Sequence, residues 1–184
     1  MLFFNNTILS ETTAAATSNT HWRNNLILGE NALPAIFAVT TFTNYTSSDY
    51  NGFRPNPGAT TSFEWNSPSA GIAADFTGPG HTALLQTRRF ASLADYTKGT
   101  GQDVHSVLVD YDVFVKVPRL DAQDAATVQK LYDARDLDFS LRPGSAAVDR
   151  GVALPTITTG FTGKAPDLGA LEAGAPAPVY GPRR

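Results

Sequence analysis

The chain has no cysteine, which excludes a disulfide framework, a thiolate nucleophile and a Cys-bound zinc. Charge is sparse too: 17% of the 184 residues are charged and the formal net charge is −3. There is no basic footprint for nucleic acid, so any anionic polymer must be met by a local positive site. Arg88-Arg89 and Arg183-Arg184 are the only adjacent basic pairs. No run approaches the ~20 apolar residues that span a bilayer. Met1-Leu2-Phe3-Phe4 lacks a basic start and stops at Asn5-Asn6, too early for an export signal within this chain.

Familiar reaction signatures are missing as well. There is no Gly-x-Ser-x-Gly elbow, and no two of His21, His81 and His105 have metal-ligand spacing. Gly78-Pro79-Gly80 and Gly99-Thr100-Gly101 lack the Lys-Ser/Thr ending of a phosphate loop, so both read as turns.

What is present is a repeat. Phe4-Asn5-Asn6-Thr7-Ile8-Leu9 returns nineteen residues on as Arg23-Asn24-Asn25-Leu26-Ile27-Leu28, and a looser echo stands at Ser48-Asp49-Tyr50-Asn51-Gly52-Phe53. A period near twenty with strand-forming content is a sign of stacked turns. Asn enters the left-handed backbone region at tolerable cost, so the pairs suit sharp corners. Stacked copies about 4.8 Å apart would let Asn bond Asn while Ile8 lies over Ile27 in the interior. The expected fold class is all-β, the end coils of a right-handed parallel β-helix with an inserted β-hairpin and two short α-helices. A 42% hydrophobic content is enough for one domain with a real core, assigned to residues 1–173.

Within it, 1–53 read as coils, from strand-like stretches at Phe3 to Leu9, Trp22 to Leu28, Ile36 to Phe42 and Tyr45 to Tyr50. Residues 54–89 read as the hairpin insertion, with Thr61 to Trp65 and Gly71 to Phe76 flanking Asn66-Ser67-Pro68-Ser69. Residues 90–173 read as a helical and closing segment. Ser92 caps one helix ended by Gly99 and Gly101, and Ala125, Val128, Leu131 and Tyr132 predict a stronger one over Asp121 to Arg135. Residues 174–184 form a Pro/Gly/Ala tail with too little apolar content to pack.

The stretch from Asp138 to Gly151, DFSLRPGSAAVDRG, followed by Ala165-Pro166-Asp167-Leu168-Gly169-Ala170-Leu171-Glu172, resembles the closing segment of bacterial right-handed parallel β-helix proteins of the pectate-lyase-like, polysaccharide-lyase-like kind. Phe90-Ala91-Ser92-Leu93 with Thr100 to Ser106 is similar to the approach to that segment. The chain departs from the pattern at Asp110-Tyr111-Asp112, where such proteins often carry Asp-Pro. The resemblance implies the closing coils of a secreted or cell-surface carbohydrate-active protein, a lyase or glycoside hydrolase, without a complete active site in this chain. A non-catalytic glycan-binding or adhesion module and a self-assembling structural protein are the alternatives.

Candidate chemistry follows from the residues. His21 and Arg23 lie two apart and point the same way on a strand, a base beside a group that neutralises a uronate. Asp49 is the best-placed coil carboxylate, with Asp110 and Asp112 as its obvious partners and local turn stabilisation as their simplest role. Tyr50 and Trp65, with Arg23, are the candidate sugar contacts, because flat rings with a polar edge stack on pyranose faces. No cofactor is expected, and calcium, which also serves lyases, has no motif here. The partner expected is a polysaccharide, with a homodimer through the open first coil.

Overall fold

The computed structural model describes residues 1–15, 17–40, 45–68 and 85–176. Strands β1 (Leu2–Phe4), β2 (Thr7–Ile8) and β3 (Thr12–Ala14) form a first tier. Strands β4 (His21–Arg23), β5 (Leu26–Leu28) and β6 (Phe37–Val39) form a second, and β7 (Ser47–Asp49), β8 (Gly52–Arg54) and β9 (Phe63–Pro68) a third. Each strand pairs in parallel with its counterpart in the next tier: Leu2 with His21 with Ser47, Thr7 with Leu26 with Gly52, Thr12 with Phe37 with Phe63. The chain also carries β10 (Leu85–Phe90), α1 (Leu93–Thr100), β11 (Val107–Leu108), β12 (Phe114–Lys116), α2 (Ala125–Val128) and β13 (Asp138–Leu141). Among the described residues the fold is strand-rich, with parallel sheets and two short α-helices.

The Asn repeat sets the register. Asn5, Asn24 and Tyr50 occupy the same corner with φ of 54°, 56° and 56°, so the third tier makes with Tyr the bend that the first two make with Asn. The residue after each is an amide, and these amides bond in series. Asn6 Nδ2 donates to Asn25 Oδ1 at 2.8 Å, Asn25 Nδ2 to Asn51 Oδ1 at 2.8 Å, and Asn51 Nδ2 to Asp103 Oδ1 at 3.1 Å. Ile8 pairs with Ile27 as the repeat requires.

Strand alternation sends one set of side chains inward. Phe3 stacks on Trp22 with ring centres 3.8 Å apart, Trp22 meets Phe37 edge-on, and Ile27, Phe53 and Phe63 fill the centre at 0% exposure. Helix α1 closes the third tier. Ser92 Oγ accepts from the Asp95 N–H, Gly101 ends the helix in the left-handed region, and Tyr96 lies flat on Phe63 at 5.0 Å.

The other set on β5 points outward into a second apolar layer. Leu26 and Leu28 meet Val109, Val113, Phe114, Leu141, Ala147 and Leu168, so the segment after β11 covers one flank of the tiers. Gly52 makes that approach feasible: a Cβ there would stand 2.7 Å from Leu26 Cδ2 and 3.2 Å from Leu168 Cδ1. The Ala165-to-Glu172 motif is tied down by Gly169 N–H to the Asn24 carbonyl and by Ala170 N–H to Thr7 Oγ1.

Two sequence expectations change. Asp121 to Arg135 is no continuous helix; α2 spans only Ala125–Val128, and a 3₁₀ turn follows at Ala134–Asp136. The spacing was helical, yet Val128 and Leu131 find no surface to pack on, Leu131 being 97% exposed. The hairpin is not a free insertion either. Its first strand, β9, is the third-tier strand on β6, and its partner is Leu85–Phe90. Gly71 to Phe76, Gly78-Pro79-Gly80, His81, Phe42 and the tail from residue 177 lie outside the described residues. At the Asp110-Tyr111 departure the chain makes a 3₁₀ turn over Tyr111–Val113, with the Asp110 side chain accepting from the Tyr111 N–H at 2.8 Å.

Candidate polar face on the first sheet

The sheet β1-β4-β7 keeps Phe3, Trp22 and Ser48 inside, which leaves the flanking positions of β4 and β7 facing outward. His21 therefore pairs with Ser47, and Arg23 with Asp49, in a two-by-two array. Rows lie about 4.8 Å apart and columns about 6.6 Å apart, two residues along a strand. The His21 and Arg23 expected to share a side do share it, and register alone adds Asp49.

The array is wired by hydrogen bonds. Arg23 Nη2 donates to Ser47 Oγ at 2.9 Å and Nη1 to the Trp22 carbonyl at 2.7 Å. His21 Nδ1 lies 2.9 Å from the same Ser47 Oγ, and its Nε2 lies 2.8 Å from Asn19 Oδ1. Asp49 Oδ1 accepts the Tyr50 and His105 backbone N–H groups, while Oδ2 meets His105 Nδ1 at 2.8 Å. Tyr50 stacks on the His105 ring with centres 4.5 Å apart and planes 12° from parallel. His105 keeps 56% of its side chain exposed, so Nε2 stays open to solvent. Among the described residues Arg23 pairs with no carboxylate, leaving its charge available at the face.

Trp65 belongs elsewhere. It alternates in phase with Phe63, faces inward beside Val39 and Tyr96, and is 4% exposed, so it is a core residue and no sugar platform. Asp110 pairs with Arg54 at 3.0 Å and caps its own turn, apart from the Asp49 cluster. Asp112 is exposed. His105 was missed as a site residue because its partner, Asp49, stands 56 positions away in sequence. The local signal that places it is Asp103, whose buried carboxylate takes the Asn51 amide and the Ser106 hydroxyl and so fixes the turn bearing His105.

A cavity of about 570 Å³ lies away from this face, bounded by Tyr111, Phe114, Val115, Leu131 and Tyr132. Two of its three cations are engaged, since Arg142 donates to the Phe114 and Val115 carbonyls and Lys130 sits 5.1 Å from the Tyr132 ring centre; Lys116 is the third. Convergent polar chemistry is on the sheet face, which we take as the site. Among the described residues no group of three His, Asp or Glu side chains is placed to hold a metal ion, and no helix is long and apolar enough to cross a membrane. No family model matches the chain, and neither does any curated protein or solved structure.

Proposed function

We propose that the chain is the closing part of a right-handed parallel β-helix of the carbohydrate-active kind, and that the outer face of its first sheet binds an acidic polysaccharide. The observation that carries this reading is the two-by-two array on β4 and β7. It sets an unpaired guanidinium, Arg23, beside a flat Tyr50–His105 pair. A uronate-containing chain needs both, a cation for its carboxylate and an aromatic surface for the apolar face of its ring. The parallel register of the three tiers supports the β-helix architecture, and the flank covered by the 138–151 and 165–172 motifs supports the closing role. Such proteins act outside the cell or at its surface, and we place this one there. Among the described residues β1, β2 and β3 are the outer strands of their sheets, edges that fit pairing with a second copy, which sedimentation would register as a dimer.

The test is retention on immobilised polygalacturonate against a neutral glucan. Wild-type protein is retained on the first in a salt-sensitive manner, and Arg23→Ala and Tyr50→Ala each weaken retention at least about tenfold, the loss of one charge-assisted contact. Retention equal on both polymers, or unchanged by Arg23→Ala, refutes the reading. Ultraviolet-absorbing unsaturated ends released from the polymer would add elimination to binding, and new reducing ends without them would add hydrolysis.

A further inference from the structure

Ser47, His21 and Asn19 lie in a line that sugar binding does not require. We propose that they form a hydrolytic centre, with Ser47 as nucleophile, that removes ester groups from the polymer held on this face. The substrate class rests on the reading above; the chemistry at Ser47 does not.

Hydrogen positions follow from the donors. A guanidinium has no acceptor, so Arg23 Nη2 donates to Ser47 Oγ at 2.9 Å. That occupies a lone pair of Oγ and leaves the hydroxyl hydrogen to point at His21 Nδ1, 2.9 Å away. Nδ1 is then the acceptor of the ring, Nε2 carries the proton, and Nε2–H donates to Asn19 Oδ1 at 2.8 Å. A hydroxyl bonded to an imidazole, with the imidazole oriented by a third group, is the arrangement that activates a serine. Asn19 is held by its own backbone, in the left-handed region at φ 53°. Parallel stacking puts His21 beside Ser47, but it does not dictate that the basic nitrogen faces Oγ or that an amide holds the far one.

The reaction balances with these groups and water. Ser47 Oγ attacks the ester carbonyl carbon while its proton passes to His21 Nδ1. The tetrahedral oxyanion forms next to the Arg23 guanidinium, whose charge opposes it. Collapse breaks the bond to the alkoxy oxygen, which takes the proton from His21 and departs as the alcohol, leaving an acyl group on Ser47. Water then attacks that acyl carbon, gives its proton to His21, and the carboxylic acid leaves as Ser47 Oγ recovers the proton. Asn19 is a positioning residue: it keeps Nδ1 free by holding the proton on Nε2.

The experiment treats the full chain with a fluorophosphonate probe and, separately, with p-nitrophenyl acetate, neither of which needs polysaccharide binding. Expected are a single adduct at Ser47 by peptide mass, loss of that adduct in Ser47→Ala, and a fall of about 10²-fold or more in ester hydrolysis in His21→Ala. Asn19→Ala lowers hydrolysis and Asn19→Asp restores it, a rescue that a merely structural side chain would not show. Ser47→Cys, which keeps size and nucleophile, is alkylated by iodoacetamide faster than a Ser10→Cys control, so the proposal stays testable if alanine unfolds the strand. An adduct at Ser47 without retention on polygalacturonate upholds this centre and sinks the glycan reading. Retention with Ser47 unlabelled, or hydrolysis unaltered in Ser47→Ala, overturns the centre.

Discussion

Asn25 is fully buried and makes four side-chain hydrogen bonds, so its truncation measures what the amide series contributes. Its Oδ1 accepts from Asn6 N at 3.1 Å and Asn6 Nδ2 at 2.8 Å; its Nδ2 donates to the Phe3 carbonyl at 2.9 Å and to Asn51 Oδ1 at 2.8 Å. In Asn25→Ala two of the four partners retain another bond, Asn6 Nδ2 to the Phe4 carbonyl and Asn51 Oδ1 from the Asn25 N–H. The Asn6 N–H and one lone pair of the Phe3 carbonyl lose theirs, at about 1–3 kcal/mol for each buried group left unpaired. Asn6 is half-buried and water relieves part of its loss, so the expected total is about 3 kcal/mol, a fall in melting temperature of about 6–12 °C. Urea denaturation followed by circular dichroism should show a lower midpoint with an unchanged slope. Asn6→Ala, at the first tier, should cost about 1 kcal/mol. Asn25→Asp should be worse than alanine near neutral pH, because it sets a carboxylate oxygen against two acceptors, and the difference should shrink as acid protonates it. An Asn25→Ala cost below about 1 kcal/mol, or one no larger than that of Asn6→Ala, refutes the argument.

Burial raises the Asp103 carboxyl above its ordinary range, against hydrogen bonds from Ser106 and Asn51. A group with a raised folded pKa binds more protons folded than unfolded. Its contribution is therefore complete below the ordinary aspartate range and is lost as pH rises through the raised value. Asp103→Asn should remove that slope and gain stability at neutral pH, read from urea midpoints across a pH series; parallel curves for the two proteins would contradict it. The introduced amide would neighbour the Tyr96 hydroxyl, which, like Asp103 Oδ2, makes no hydrogen bond of acceptable geometry among the described residues. Gly52→Ala should cost about 1–3 kcal/mol by overpacking against Leu26 and Leu168, and amide exchange at Leu168 should accelerate. Leu131→Ser should change stability by less than about 0.5 kcal/mol, whereas a packed helix over 121–135 would lose several times that.

The tiers were legible because each Asn pair is both a corner signal and a ladder signal, and the two fix one register. His21 and Arg23 were legible for a related reason, since alternation along a three-residue strand leaves no choice about which side they share. Trp65 yields to the same rule read on the next sheet: a residue two after an inward Phe63 faces inward. Helical spacing at Val128, Leu131 and Tyr132 misled because periodicity states which residues would share a face and nothing about whether a second surface meets it. His105 had only the neighbouring Asp103 as a local sign, and Ser47 had none. One reaches Asp49 across α1, and the other became chemically distinctive only when the tiers set it between a guanidinium and an imidazole.

All three corner amides donate in the same direction, from Asn6 toward Asp103. Their dipoles add head to tail, as peptide dipoles do along a helix, with the positive end resting on an anion. The column thus has electrical polarity within a single edge of the protein, and inverting the carboxamide of Asn25 or Asn51 would set like poles together on both sides of it. Asp103 is the charge that this small battery is arranged to hold.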